Sequence, residues 1–319
     1  MDIEYLLFLQ HFREGFGSFL APFMLWVSDF AIGFFPVGML CLFYWVVDRK
    51  AGKRVLFGFH LGILLNGLLK LIFCVYRPWI RDARIIPYGN AIVTATGYSF
   101  PSGHSTWATI TFGSLGLWMK GKGWRVPAVL AFLFVFTVLF SRNYLGVHTP
   151  QDVVVGFLSS LFAIYAAGKM EDWTDQDSRR DWIVMAIGLL FCLGLGIFYE
   201  CKSYPMDYLA NGKLLVDPVR MRADSYQGLG CVAGYVIARC FERRGFDFEA
   251  GLGRKARFLI GLVAFIPLYV WFMSGVPFLK VVGGRFFAEF FSFFVFSFYV
   301  MNFIPWIMKG ISTFLKKNK

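Results

Sequence analysis

Within the twelve residues Ser141–Asp152 the chain gathers an arginine, a histidine and a carboxylate, Arg142, His148 and Asp152. Apolar runs flank them, Val126–Phe140 and Val153–Gly168. A carboxylate four residues after a histidine suits nucleophilic chemistry: it can hold one ring nitrogen and leave the other free to attack. Pro150 fits the first turn of a helix with Thr149 as its N-cap. If that helix begins one residue early, His148 and Asp152 share a face. The same residues also read as a capping-box-like pair, Thr149 and Asp152, beside an interfacial histidine.

Two other stretches carry compatible chemistry. Lys70 sits near the end of an apolar run, followed by Arg77-Pro78 and then Arg81 and Arg84. The guanidinium group suits planar, multidentate binding of an oxyanion, and the lysine adds a point charge. Each of these cations also has a plainer reading, as a snorkelling lysine and ordinary loop charges. The second stretch is Tyr98-Ser99-Phe100-Pro101-Ser102-Gly103-His104-Ser105, just before another apolar run. Proline followed by Ser-Gly describes a helix N-terminus, whose free N–H groups and positive dipole end attract anions. Gly103 lets an oxyanion come close to the backbone, Ser102 adds a hydroxyl donor and His104 a proton. In the plainer reading Ser102 is only an N-cap and His104 an interfacial residue. The chain has only four histidines, and two of them begin runs expected at one face.

The elements that must position these groups are membrane helices. Apolar residues make up 57% of the 319 residues and charged residues only 16%, well below the quarter typical of soluble domains. The net charge of +12 does not read as a nucleic-acid surface, because the basic residues are scattered through short loops between apolar runs. Six cysteines occur singly, without CxxC spacing, so neither a zinc site nor a disulfide framework is expected. Asp2 and Glu4 stand where a signal peptide would be basic, so no cleavable signal is expected.

Taken in order, Met1–Leu20 reads as an amphipathic helix lying on the membrane surface. Nine apolar runs follow: Phe23–Val47, Val55–Phe73, Phe100–Trp118, Val126–Phe140, Val153–Gly168, Trp182–Tyr199, Tyr226–Phe241, Phe258–Phe278 and Phe286–Met308. In place of the first of them, the longer stretch Gly17–Val47 could form a re-entrant pair. The loops on one side, with the basic tail, hold 19 Lys or Arg against 11 on the other. The positive-inside rule then puts the N-terminus outside and the C-terminus in the cytoplasm. On that topology the three polar stretches meet at the non-cytoplasmic face, on loops held by rigid helices.

In combination the pattern is Lys70-x6-Arg77-Pro78, then Pro101-Ser102-Gly103-His104, then Ser141-Arg142-x5-His148-x3-Asp152. It resembles the type 2 phosphatidic acid phosphatase superfamily, which includes lipid phosphate phosphatases, membrane glucose-6-phosphatase and vanadium haloperoxidases. All three motifs match in order over about Phe30–Tyr199. The three added helices look like the longer glucose-6-phosphatase and sphingosine-1-phosphate phosphatase branch. The resemblance implies an all-α, polytopic integral membrane bundle of about nine spans. Residues 1–200 would hold an amphipathic segment and a six-helix core, and residues 201–319 a three-helix extension. It implies that Lys70, Arg77, Ser102, Gly103 and Arg142 bind phosphate, that His148 attacks phosphorus with Asp152 orienting its ring, and that His104 protonates the leaving oxygen. No metal and no cofactor are expected, and vanadate should inhibit.

The expected substrate is a lipid phosphate or pyrophosphate, at the non-cytoplasmic face of a bacterial plasma membrane, with no nucleic-acid partner. The alternatives are a soluble phosphomonoester such as a sugar phosphate, or a transporter or inactive lipid-binding protein of the same fold. Among weaker signals, Gly230-xxx-Gly234 reads as close helix packing rather than a dinucleotide fingerprint. Arg220 and Arg222 read as loop charges, Glu289 as interfacial, and Phe286–Phe298 as lipid-facing.

Overall fold

The structure, a computed structural model, describes residues 1–209, 211–243 and 252–317. The middle of the basic loop at 242–257 and the last two residues of the basic tail lie outside them. Of the described residues 82% are helical, and none forms a strand. This follows from the medium, because in lipid a lone segment satisfies its backbone only as a helix.

The principal helices are α1 (Asp2–Phe30), α2 (Phe34–Leu42, extended by a π turn to Val47) and α3 (Arg49–Phe73). Two short helices, α4 (Pro78–Arg81) and α5 (Ala91–Thr94), lead to α6 (Gly103–Ala108), which continues through a π turn into α7 (Ser114–Gly121). Then come α8 (Arg125–Tyr144), α9 (Pro150–Gln176), α10 (Arg180–Cys201) and α11 (Pro218–Glu242). The C-terminal helices are α12 (Arg254–Val270), α13 (Val276–Val282), α14 (Gly284–Phe298) and α15 (Ile304–Lys317).

Among the described residues, six helical stretches are long and apolar enough to cross a membrane, and a seventh if Phe19–Phe30 and Phe34–Val47, bent by 48°, count as one span. In α10 only 17% of the most apolar window is buried within the protein. So much exposed Ile, Leu and Phe belongs against lipid, and the chain is an integral membrane protein. The expected third and seventh spans are helical but fall outside this set. Both are mostly buried, and both carry polar groups, Thr109, Thr111 and Ser114 in one and Arg239 in the other. Helices enclosed by protein need not be uniformly apolar.

Two compact units interleave along the chain, and each draws on residues before and after position 200. One comprises Met1–Pro36, Leu65–Ile164 and Lys202–Arg222; the other Val37–Leu64, Tyr165–Cys201 and Ala223–Lys319. All three polar stretches fall in the first.

In the first unit α1 does not end at Leu20 but runs unbroken to Phe30. One face of its first half packs on loop residues. Leu6 and Leu7 are buried against Ile85, and Ala21 and Met24 against Tyr144, Leu145 and Val147. Its buried polar residues serve loop backbone: Arg13 donates to the carbonyls of Tyr144 (2.8 Å) and Ile86 (2.6 Å), and Gln10 accepts from the Ile86 N–H (2.9 Å). Polar residues of the amphipathic pattern here hold backbone from distant parts of the chain.

In the second unit a Cβ on Gly230 would lie 2.0 Å from the Phe290 carbonyl oxygen, and one on Gly234 2.6 Å from that of Phe294. The two glycines therefore let α11 and α14 touch backbone to backbone, as the spacing predicts. Glu289 is buried and is bound by Lys280 (2.7 Å) and Gln227 (2.9 Å). Phe296 is buried too, so the Phe286–Phe298 run is not wholly lipid-facing. Arg239 is enclosed with Glu171, Asp181 and Thr174, and His60 is satisfied by the Ser297 hydroxyl at 2.7 Å. All six cysteines are free.

Candidate functional site

The turn between α8 and α9 sets the central histidine. The N–H groups of Val147 and His148 both donate to the Arg142 carbonyl at 3.2 Å, and Gly146 takes a positive φ of 75°. The Asn143 amide donates to the His148 carbonyl at 2.8 Å. Helix α9 begins at Pro150, not a residue early, yet His148 and Asp152 still meet: Nδ1 lies 3.3 Å from Oδ2. The capping turn brings them together. Asp152 Oδ2 accepts the Thr149 N–H at 2.9 Å, while the Thr149 hydroxyl faces the Asp152 N–H at 3.5 Å. The capping box and the histidine–carboxylate pair are thus one structure sharing an oxygen.

Arg77 reaches the same ring from the other side. Its Nη1 lies 2.8 Å from His148 Nε2 and donates to the Val147 carbonyl at 3.2 Å. Nε and Nη2 bond the carbonyls of Gly97 (3.0 Å) and Thr96 (2.8 Å). A guanidinium can only donate, so Nε2 carries the lone pair and Nδ1 the proton, which faces Asp152. Burial, and then the Arg77 charge, push the His148 imidazole well below its ordinary pKa, against the pull of Asp152. The ring is neutral, as a nucleophile must be.

Lys70 does not snorkel. Its ammonium donates to the carbonyls of Tyr98 (2.8 Å) and Pro101 (2.9 Å), pinning the stretch that leads into α6. Ser102 caps α6, its hydroxyl accepting from the Ser105 N–H at 3.4 Å, and its own N–H donates to the Asp152 carbonyl at 2.9 Å. Gly103 is the first helical residue, and a Cβ there would find only Asn66 Oδ1, at 3.8 Å. His104, buried, has an Nε2 without a hydrogen-bond partner. The standing cations acting on its imidazole are Arg142, Arg77 and Lys70. Arg142 is fully buried; it bonds the Ser28 hydroxyl through Nη1, whereas its Nε and Nη2 have no partner.

The structure therefore gathers Lys70, Arg77, Ser102, Gly103, His104, Arg142, His148 and Asp152 in the first unit. It does not bring Arg81 and Arg84 with them. These pair with Asp2 (2.8 Å) and with Glu4 (3.0 Å) and Asp82 (2.8 Å) at the surface. Sequence reasoning gave no role to Ser99, Asn143 or Ser28, all of which hold site residues. Ser99 and Asn143 at least lie inside the motifs; Ser28 is 114 residues from Arg142, and no pattern links them. Among the described residues no group of three or more His, Cys, Asp or Glu is placed to hold a metal ion. Buried cationic donors around a neutral, oriented imidazole can bind an oxyanion and present a nucleophile to it.

Comparison with known proteins bears on the same segment: residues 51–176 match the PAP2 superfamily. The chain carries a PAP2 domain. The matched range includes every site residue named above except Ser28. Proteins similar to this chain include an undecaprenyl-diphosphatase of Sulfolobus acidocaldarius, 28% identical over 43% of this chain and 62% of the relative. The bacitracin transport permease protein BcrC of Bacillus licheniformis is 27% identical over 48% of this chain and 74% of its own. Sphingosine-1-phosphate phosphatase 1 of Rattus norvegicus is 26% identical over 64% of this chain and 43% of its own. The chain thus spans less than two thirds of two of these three relatives. No solved structure matches it significantly.

Proposed function

We propose that this chain, with its PAP2 domain, is a metal-independent membrane phosphatase acting on a lipid phosphate or pyrophosphate. The observation that carries the reading is His148, neutral, with Nδ1 toward Asp152 and Nε2 among buried cations that include two unpartnered Arg142 nitrogens. Lys70, Arg77, Arg142, the Ser102 hydroxyl and the Gly103 N–H bind the phosphate oxygens. The phosphate takes over the Arg77 donor that rests on Nε2, which frees the lone pair. Nε2 then forms a bond to phosphorus as the bond to the leaving oxygen breaks, and His104 gives that oxygen a proton. In the second step water attacks the phosphohistidine, His104 takes its proton, and phosphate leaves. The cations neutralise charge on the five-coordinate transition state, the task a metal performs elsewhere.

A lipid substrate is supported by the setting of the site on apolar helices and by relatives named for undecaprenyl diphosphate and sphingosine 1-phosphate. Catalysis is assigned to residues 1–200, with residues 201–319 as an extension. The topology that fits the basic asymmetry is nine spans, N-terminus outside and C-terminus cytoplasmic, with the site at the non-cytoplasmic face of a bacterial plasma membrane. A transport role is a second reading, favoured by the name of the BcrC relative alone. The deciding experiment is phosphate release by detergent-purified protein in excess chelator, from polyprenyl diphosphates, sphingoid and phosphatidyl phosphates, and a sugar phosphate. Release from the lipids, undiminished by chelator and blocked by vanadate, is expected. No release from any of them favours transport, release from the sugar phosphate alone a soluble substrate, and restoration by magnesium a metal enzyme.

A further inference from the structure

Asp152 Oδ2 has a partner closer than His148. The Ser99 hydroxyl donates to it at 2.5 Å, while the imidazole Nδ1 lies 3.3 Å away, long for a charge-assisted bond. Ser99 is buried, at 1% exposure, and its N–H donates to the Val75 carbonyl at 2.7 Å, so its own position is fixed from the loop after α3. Its oxygen also lies 3.4 Å from His148 Nδ1. A hydroxyl has one proton, and here that proton goes to the carboxylate. The Ser99 lone pairs are then left to face the imidazole N–H, which is shared between Oδ2 and Oγ. Without the hydroxyl, Oδ2 would keep the Thr149 N–H and the imidazole alone, and the carboxylate could turn about its last torsion.

We infer that Ser99 is a positioning residue for the nucleophile, orienting His148 through Asp152 and sharing the Nδ1 proton as the ring becomes cationic. The inference rests on the reading of His148 as the attacking group. A purely packing role would leave the ring's reactivity untouched, and two inorganic anions separate the cases. Phosphate needs only the cationic donors. Vanadate in addition accepts the Nε2 lone pair, rising from four- to five-coordinate with nothing oxidised or reduced, so its affinity reports how well that lone pair is aimed.

The experiment is calorimetric titration of the detergent-solubilised full chain with each anion. Ser99→Ala should weaken vanadate about tenfold, the size of one hydrogen bond to a charged group, and change phosphate by less than about twofold. Ser99→Thr should restore vanadate binding, and Ser99→Cys, a weaker donor of similar shape, should lie between and serves if the alanine variant does not fold. Unchanged vanadate affinity in the alanine and cysteine variants, or equal loss of both anions, overturns the role. If His148→Ala binds vanadate as tightly as the parent, the nucleophile reading itself fails, whatever Ser99→Ala does.

Discussion

Asp152→Asn isolates the carboxylate charge with almost no change of shape. In the parent, Oδ2 accepts from the Ser99 hydroxyl (2.5 Å), the Thr149 N–H (2.9 Å) and the imidazole Nδ1 (3.3 Å). An asparagine amide oxygen in that place keeps the first two donors, so the capping turn survives. The lost quantity is attraction between the carboxylate and the positive charge that develops on the ring as Nε2 bonds to phosphorus. Unit charges 3.3 Å apart attract by about 5 kcal/mol at an effective dielectric of about 20. With about half of the ring charge developed at the transition state, the loss is about 2.5 kcal/mol, or on the order of 10²-fold in the rate of phosphoenzyme formation. Binding of inorganic phosphate should change little, because Lys70, Arg77 and Arg142 are untouched. Rapid-quench trapping of acid-labile phosphate gives the rate, and titration with inorganic phosphate gives the affinity. A rate within about threefold of the parent would refute the argument, because the carboxylate would then not act on the ring.

The two histidines should separate with a nitrophenyl phosphate, whose leaving group needs little protonation. His104→Ala should still accumulate phosphohistidine and His148→Ala none; phosphoenzyme on His148→Ala would reverse the assignment. Because burial and Arg77 hold His148 below its ordinary pKa, protonation that blocks Nε2 is displaced to more acid pH. Phosphoenzyme formation should therefore stay level as pH falls through the ordinary imidazole value of about 6.5 and decline only below it. A half-loss at or above that value would contradict the geometry. For the topology, single cysteines replacing the exposed Lys122 and Asn90, in a chain with exposed Cys201 removed, should be labelled from opposite membrane faces, Lys122 from the cytoplasm. Labelling of both from one face would overturn the orientation.

The helical class and its apolar setting were legible in the sequence because lipid makes a local demand that long apolar runs meet one at a time. The helix starts at Gly103 and Pro150 were legible for the same reason: a cap is chemistry between residues two or three apart. The Gly230 and Gly234 spacing announced close packing, since a missing Cβ is written in the residue itself. The motifs also announced which groups share a site, but not how they touch. That Arg77 rests on His148 Nε2, that Arg142 leans on Ser28, and that Lys70 pins the Tyr98–Pro101 backbone instead of snorkelling are contacts across long stretches of chain. Periodicity carries no trace of them. The first half of α1 shows a related limit. Its polar residues looked solvent-bound, yet Gln10 and Arg13 are buried, bonded to the backbone of loops more than 70 residues away. Hydropathy records what a side chain prefers when it stands alone; only the folded chain supplies the partners that reverse the preference.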